Sequence, residues 1–250
     1  MVFDNDILIM NGVDWDDKEC LHTVHDAVDY INKVGFLPLF KNDIPGFSLE
    51  ERTTSNYWFT GDPKYDPWEW REIIARSGEV AYGKFFSKKA GFISKEWLPV
   101  FVNYRRDGYD FDALWDDQKA SYRQKKIMDV LEAKDEIYSN ELKQLAGFGK
   151  GGEKGFEGTV TDLLMMTYML VRDFRQRKNK KGEPYGWSVA VYAKPEKIWD
   201  YSFVTSKYGE DPMDSGQKIM DHIRELYPIA TNKEIVKMLG TMAGRGKILK

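Results

Sequence analysis

The chain predicts an α+β protein: a mixed N-terminal unit, then three helices that run into a basic β-hairpin, then a helical C-terminal extension. Three observations carry this. Apolar residues recur at steps of three and four through much of the chain, two pairs of short strand-like stretches flank turn residues, and breaks rich in glycine or proline separate the helical segments. With 250 residues, 42% apolar and 14% aromatic, the chain is long enough to bury most of the surface it exposes when unfolded, which excludes a disordered state.

The first helix is expected from Cys20 to Val34, where Cys20, Leu21, Val24, Ala27, Val28, Ile31 and Val34 share a face and Gly35 supplies the stop. In NYWFTGDPKYDPWEWR, Asp66 suits a helix cap, Pro67 the first position and Glu69 the capping-box position, so a helix should run from Pro67 to about Arg76. AYGKFFSKKAGFIS reads as two strands turning around Ser87 to Gly91, and Ser94 is placed to cap a helix bearing Trp97, Leu98, Phe101, Val102 and Arg105. The polar stretch from Asp107 to Asp117 reads as a connection, so an aromatic-rich N-terminal domain is expected over residues 1–110.

Residues 118–195 follow the order of a winged helix-turn-helix. A helix is expected from Gln118 to Ala133, a short one capped by Ser139, a glycine-rich loop, and a third helix from Gly158 to Met169. A strand from Leu170 to Arg177, a turn at Asn179 to Gly182 and the alternating stretch WSVAVYA complete the pattern. Over residues 196–250, Ile219, Met220, Ile223 and Leu226 mark one helix, and Thr231 with Glu234 makes a capping box for a second, giving a helical hairpin.

Charge is divided along the chain. The net charge of -3 conceals five Lys or Arg against fourteen Asp or Glu from Met1 to Trp70, and six basic residues against Asp173 alone from Arg172 to Lys181. On a hairpin, such a run is placed to meet a phosphate backbone. Arg172, Arg175, Arg177, Lys178, Lys180 and Lys181 are therefore the candidate nucleic-acid contacts, with Tyr185 and Trp187 beside the turn to stack on a sugar or base. The competing reading is a solvated surface. The preceding segment FEGTVTDLLMMTYML has Glu157 and Asp162 but no Arg or Lys, so base reading through that helix is not expected.

A second candidate is an aromatic groove made by Tyr57, Trp58 and Trp68 with Arg71 and Tyr104 at its mouth, although the same rings could form the N-terminal core. The carboxylates Asp110, Asp112, Asp116 and Asp117 sit in the expected connection, where solvation explains them. One cysteine, Cys20, excludes an internal disulfide. His22 and His25 share a helix with Asp26 and Asp29, but His222 is the only other histidine, so neither a metal nor a cofactor is expected. GFGKGG matches G-x-G-x-x-G by letter, yet it leaves a helix where a dinucleotide loop must leave a strand. With no apolar run of about 18 residues and an acidic start, no membrane association and a cytoplasmic location are expected.

The motifs TGDP, DPWEWR, AYGK and PYGW, spread between Phe36 and Ala193, resemble the AlkZ-related family of bacterial proteins, grouped with winged-helix alkylpurine DNA glycosylases. The resemblance implies a winged-helix protein with a role in the repair of alkylated or crosslinked DNA. AlkZ enzymes carry a Gln-x-Gln or Gln-x-Asp motif that positions water at the glycosidic bond. Here Gln118, Gln124, Gln144, Gln176 and Gln217 are each followed two residues later by something else, so that catalytic feature does not carry over. Three readings follow: a DNA-binding protein without glycosylase catalysis, a divergent glycosylase using a carboxylate such as Asp62 or Asp66, and a protein-interaction module whose acidic front docks on a basic partner or masks the hairpin.

Overall fold

The computed structural model describes residues 2–4, 7–179 and 181–240. Val2–Asp4 (β1) and Ile7–Ile9 (β2) pair antiparallel. The first predicted helix forms as Val24–Val34 (α1), starting later than its apolar spacing suggests because Thr23 and Asp26 close a capping box there. It ends on Gly35, at φ +83°, where a Cβ would stand 2.5 Å from the Trp97 indole nitrogen, so both the backbone and the space require glycine.

Phe36–Pro38 (β3), Val80–Phe86 (β4) and Lys89–Ser94 (β5) make an antiparallel sheet in the order β3-β5-β4. Pro67–Ser77 (α2) lies between β3 and β4 in the chain and Leu98–Arg106 (α3) follows β5. Asp66 caps α2 as expected, accepting from Trp68 N at 2.8 Å, but Glu69 does not return the bond. The carboxylate instead accepts from Phe59 N at 3.1 Å and Gly61 N at 2.9 Å, locking the preceding loop onto the helix. Replacing Asp66 with alanine should therefore cost more than a surface cap, about 2–4 kcal/mol in urea unfolding, because two further backbone donors lose their acceptor.

The stretch read as a polar connection contains a helix, Phe111–Asp116 (α4), whose Phe111 and Leu114 are buried. Only its acids are legible in the sequence; Phe111 packs edge-on against Tyr168, a contact between residues far apart in the chain. Tyr122–Glu132 (α5) starts on a Ser121/Gln124 capping box, and a two-residue strand not expected from sequence, Ile137–Tyr138 (β6), leads into Ser139–Leu145 (α6). Phe156–Met165 (α7) then precedes the hairpin strands Leu170–Lys178 (β7) and Pro184–Ala193 (β8). The second three-stranded sheet has the order β6-β8-β7, all antiparallel.

Two short helices, Pro195–Ile198 (α8) and Tyr201–Val204 (α9), lead to Pro212–Leu226 (α10) and Asn232–Leu239 (α11), the last with its expected Thr231/Glu234 capping box. The C-terminal helices lie against the first half of the chain: α10 on α3, with the buried Asn103 amide donating to Ser215 Oγ at 3.0 Å, and α11 on β4. His222 stacks on Trp97 and bonds Val34 O at 3.0 Å. One continuous set of buried side chains runs from Ala27 to Leu239, and no helix among the described residues is long and apolar enough to cross a membrane.

Candidate nucleic-acid interface

The hairpin splits the basic run into a structural base and a free tip. At its base an extra residue on β7 shifts the register between Val171 and Asp173, and the Arg172 guanidinium donates to the last carbonyls of α2, Ala75 O at 2.9 Å and Arg76 O. Arg175 pairs with Glu136 and Asp173, and the hydrogen bond to Glu136 raises its pKa further above its ordinary value. The buried Asp173 also accepts from Arg76 Nε at 2.9 Å and Phe174 N at 2.7 Å. These two arginines already have protein partners.

Beyond Arg175 the arrangement changes. Among the described residues Arg177, Lys178 and Lys181 have no ion-pair partner, Lys178 and Lys181 are exposed, and Arg177 lies over the Tyr185 ring at 5.0 Å. Lys180 lies outside the described residues. Tyr185 is 46% exposed and Trp187 91%. The turn is fixed by Asn179, whose side-chain oxygen accepts from Lys181 N at 2.8 Å and Glu183 N at 3.1 Å, so the cations ride on a defined hairpin.

The helix before the hairpin is partly walled in. Along α7 only Glu157 and Gly158 are exposed, Lys84 donates to Thr161 at 3.2 Å and Lys88 pairs with Asp162 at 2.8 Å. The β4–β5 hairpin thus lies against the Thr161 and Asp162 face, and the exposed surface left on α7 is its first turn, which carries the acidic Glu157.

The aromatic candidates fall in three places. Trp58 is buried and bonds Thr53 Oγ1 at 3.0 Å, and its neighbour Phe40 also approaches Trp68. Arg71 is buried between the Trp68 and Phe174 rings, 3.7 and 4.2 Å from their centres, with Glu72 at 3.0 Å. Burial pushes the Glu72 carboxyl upward, and Arg71 only partly opposes it. Tyr57 instead joins Trp15 and Tyr65, and Tyr104 sits half-buried on α3.

A family model described as AlkZ related matches residues 21–240. The chain belongs to the AlkZ-related family. The match reaches past the stretch that carries the resemblance, taking in α1 and both C-terminal helices. No curated protein and no solved structure matches the chain.

Two motifs of this AlkZ-related chain acquire structural roles: DPWEWR builds the Asp66 cap and the Arg71 sandwich, and PYGW builds the exposed end of β8. Sequence reasoning missed a cavity of about 410 Å3 between α3, α4, α5, α8 and α9, where Asp110 and Asp112 line the wall with Phe111, Tyr168 and Glu196. At its inner end Arg106 donates to Glu196 at 2.6 Å, Thr167 O at 2.8 Å and Tyr208 OH at 3.2 Å. Burial alone would lower the Arg106 pKa, but the Glu196 charge and the Tyr208 and Tyr168 oxygens outweigh it and hold it above its ordinary value. Glu196 Oε2 has no partner among the described groups. A pair ninety residues apart leaves no local signal in the sequence.

The remaining motifs are local. His22 packs edge-on against Trp15, His25 lies 3.5 Å from Asp29, and no three metal-ligating side chains converge among the described residues. In the glycine-rich loop between α6 and α7, Glu153 N bonds back to Gly147 O at 3.0 Å. Asp14, Asp16 and Asp17 are exposed and make no bond to the hairpin among the described residues.

Proposed function

We propose that residues 118–195 form a winged helix whose wing, the β7–β8 hairpin, binds DNA without sequence preference and serves the repair of alkylated DNA. The observation that carries this is the cluster at the hairpin tip of exposed Lys178 and Lys181 with half-buried Arg177, none with an ion-pair partner among the described residues, while Arg172 and Arg175 at the hairpin base are satisfied. The element order α5-β6-α6-α7-β7-β8, with β6 completing the small sheet, supports the winged-helix assignment. The partly covered α7, with Glu157 on its exposed first turn and no cation, supports backbone contact rather than base reading as the mode of binding. Fluorescence anisotropy with two duplexes of unrelated sequence tests it. Both should bind equally, and Arg177→Glu with Lys178→Glu should weaken both alike; equal binding by wild type and variant would remove the hairpin from the interface.

A second reading, base excision without the glutamine motif, has the cavity in its favour. It has the volume for a flipped base, aromatic walls at Phe111 and Tyr168, and a half-buried acid, Glu196, whose Oε2 is buried without a partner among the described groups. Asp66 is committed to three backbone N–H groups and Asp62 is exposed, which makes Glu196 the acid to test. Alkali-labile sites formed in alkylated duplex by wild type and not by Glu196→Gln would support excision; none with wild type would dismiss it.

A further inference from the structure

The end of the hairpin is distorted in a way that neither strand pairing nor charge requires. Arg175 pairs with Val189 and the next paired residues are Arg177 and Tyr185, so Gln176 alone faces Gly186, Trp187 and Ser188. Two extra residues on β8 are looped outward there. Gly186 sits at φ +72°, and a Cβ on it would stand 3.1 Å from the Arg177 guanidinium. The Gln176 amide ties the loop down by donating to Gly186 O at 3.1 Å. The result is an indole aimed into water: Trp187 is 91% exposed and makes no ring contact with any described residue. Bulges re-aim side chains in this way, and an indole in water gives folding nothing.

The surroundings of the ring select its partner. Arg177, Lys178 and Lys181 surround the tip with positive charge, which disfavours a basic or purely apolar protein surface and favours a polyanion. In an intact duplex, base faces are covered by their neighbours and only edges and phosphates are offered. A flat indole flanked by cations fits a base whose face is free. We infer that the wing tip binds unpaired or single-stranded DNA, with Trp187 stacked on one base and Arg177, Lys178 and Lys181 on the flanking phosphates. This rests on the DNA-binding reading and adds a preference for the unstacked strand.

The test compares a labelled single strand of about 12 nucleotides with the duplex of the same sequence at one salt concentration. The proteins are wild type, Trp187→Ala, Trp187→Phe and Gly186→Ala. Wild type should bind the single strand more tightly. Trp187→Ala should lose about tenfold on the single strand and less than about twofold on the duplex, the stacking contribution of one base, while Trp187→Phe keeps most of the affinity and Gly186→Ala behaves like Trp187→Ala. Equal wild-type affinity for strand and duplex, or equal losses on both in Trp187→Ala, overturns the stacking assignment while leaving wing binding intact. No binding to either DNA by the folded wild type overturns both readings.

Discussion

Replacing Arg106 with alanine is expected to destabilise the protein by about 3–5 kcal/mol, the largest effect of any single charge in the chain. The guanidinium is almost fully buried and donates to Glu196, Thr167 O and Tyr208 OH. Truncation leaves the Glu196 carboxylate, 11% exposed, without its counter-charge and a buried carbonyl without its donor. The penalty belongs to the orphaned partners more than to the pair itself, so Arg106→Met with Glu196→Leu should recover much of it. Urea unfolding followed by circular dichroism measures all three proteins; a loss below about 1 kcal/mol in Arg106→Ala would mean that water reaches the pair freely.

The second large effect concerns binding. Reversing Arg177 and Lys178 to glutamate should weaken duplex binding by roughly a hundredfold, about tenfold for each phosphate left without its cation. Because Lys178 is exposed and the half-buried Arg177 has no ion-pair partner among the described residues, only its contact with the Tyr185 ring, the variant should unfold within about 1 kcal/mol of wild type. Arg175→Ala should show the opposite pattern, lowering stability because Asp173 and Glu136 lose a partner and changing affinity little. A simple basic patch would not separate the five described cations in this way.

That separation is what the sequence could not show. The run from Arg172 to Lys181 reads as uniform charge, yet Arg172 finds its acceptors at the end of α2, where β7 packs on that helix, and Arg175 finds Glu136 just before β6, a strand of the same sheet as β7. Local signals were legible: Thr231 with Glu234, Pro67 behind Asp66 and the Gly35 stop each act over a few residues, and each appears where its spacing placed it. Elements defined by distant partners were not. The two residues of β6 become a strand only by pairing with Tyr192 and Val191, and α4 shows acids outward while hiding Phe111 against Tyr168. The cavity was invisible for the same reason, since its lining is drawn from five separate helices and the segment around Tyr168. At Trp187 the sequence supplied the ring, and the register shift supplied its exposure.

If the cations at the tip of the β7–β8 hairpin meet the DNA backbone as proposed, the salt dependence of wild-type binding to a duplex of arbitrary sequence reads the contact. With three or four phosphates neutralised, log K should fall against log salt with a slope of roughly -3 to -4, and the slope should drop by about 2 when Arg177 and Lys178 are reversed. A wild-type slope near zero, or one unchanged in the reversed variant, would contradict it.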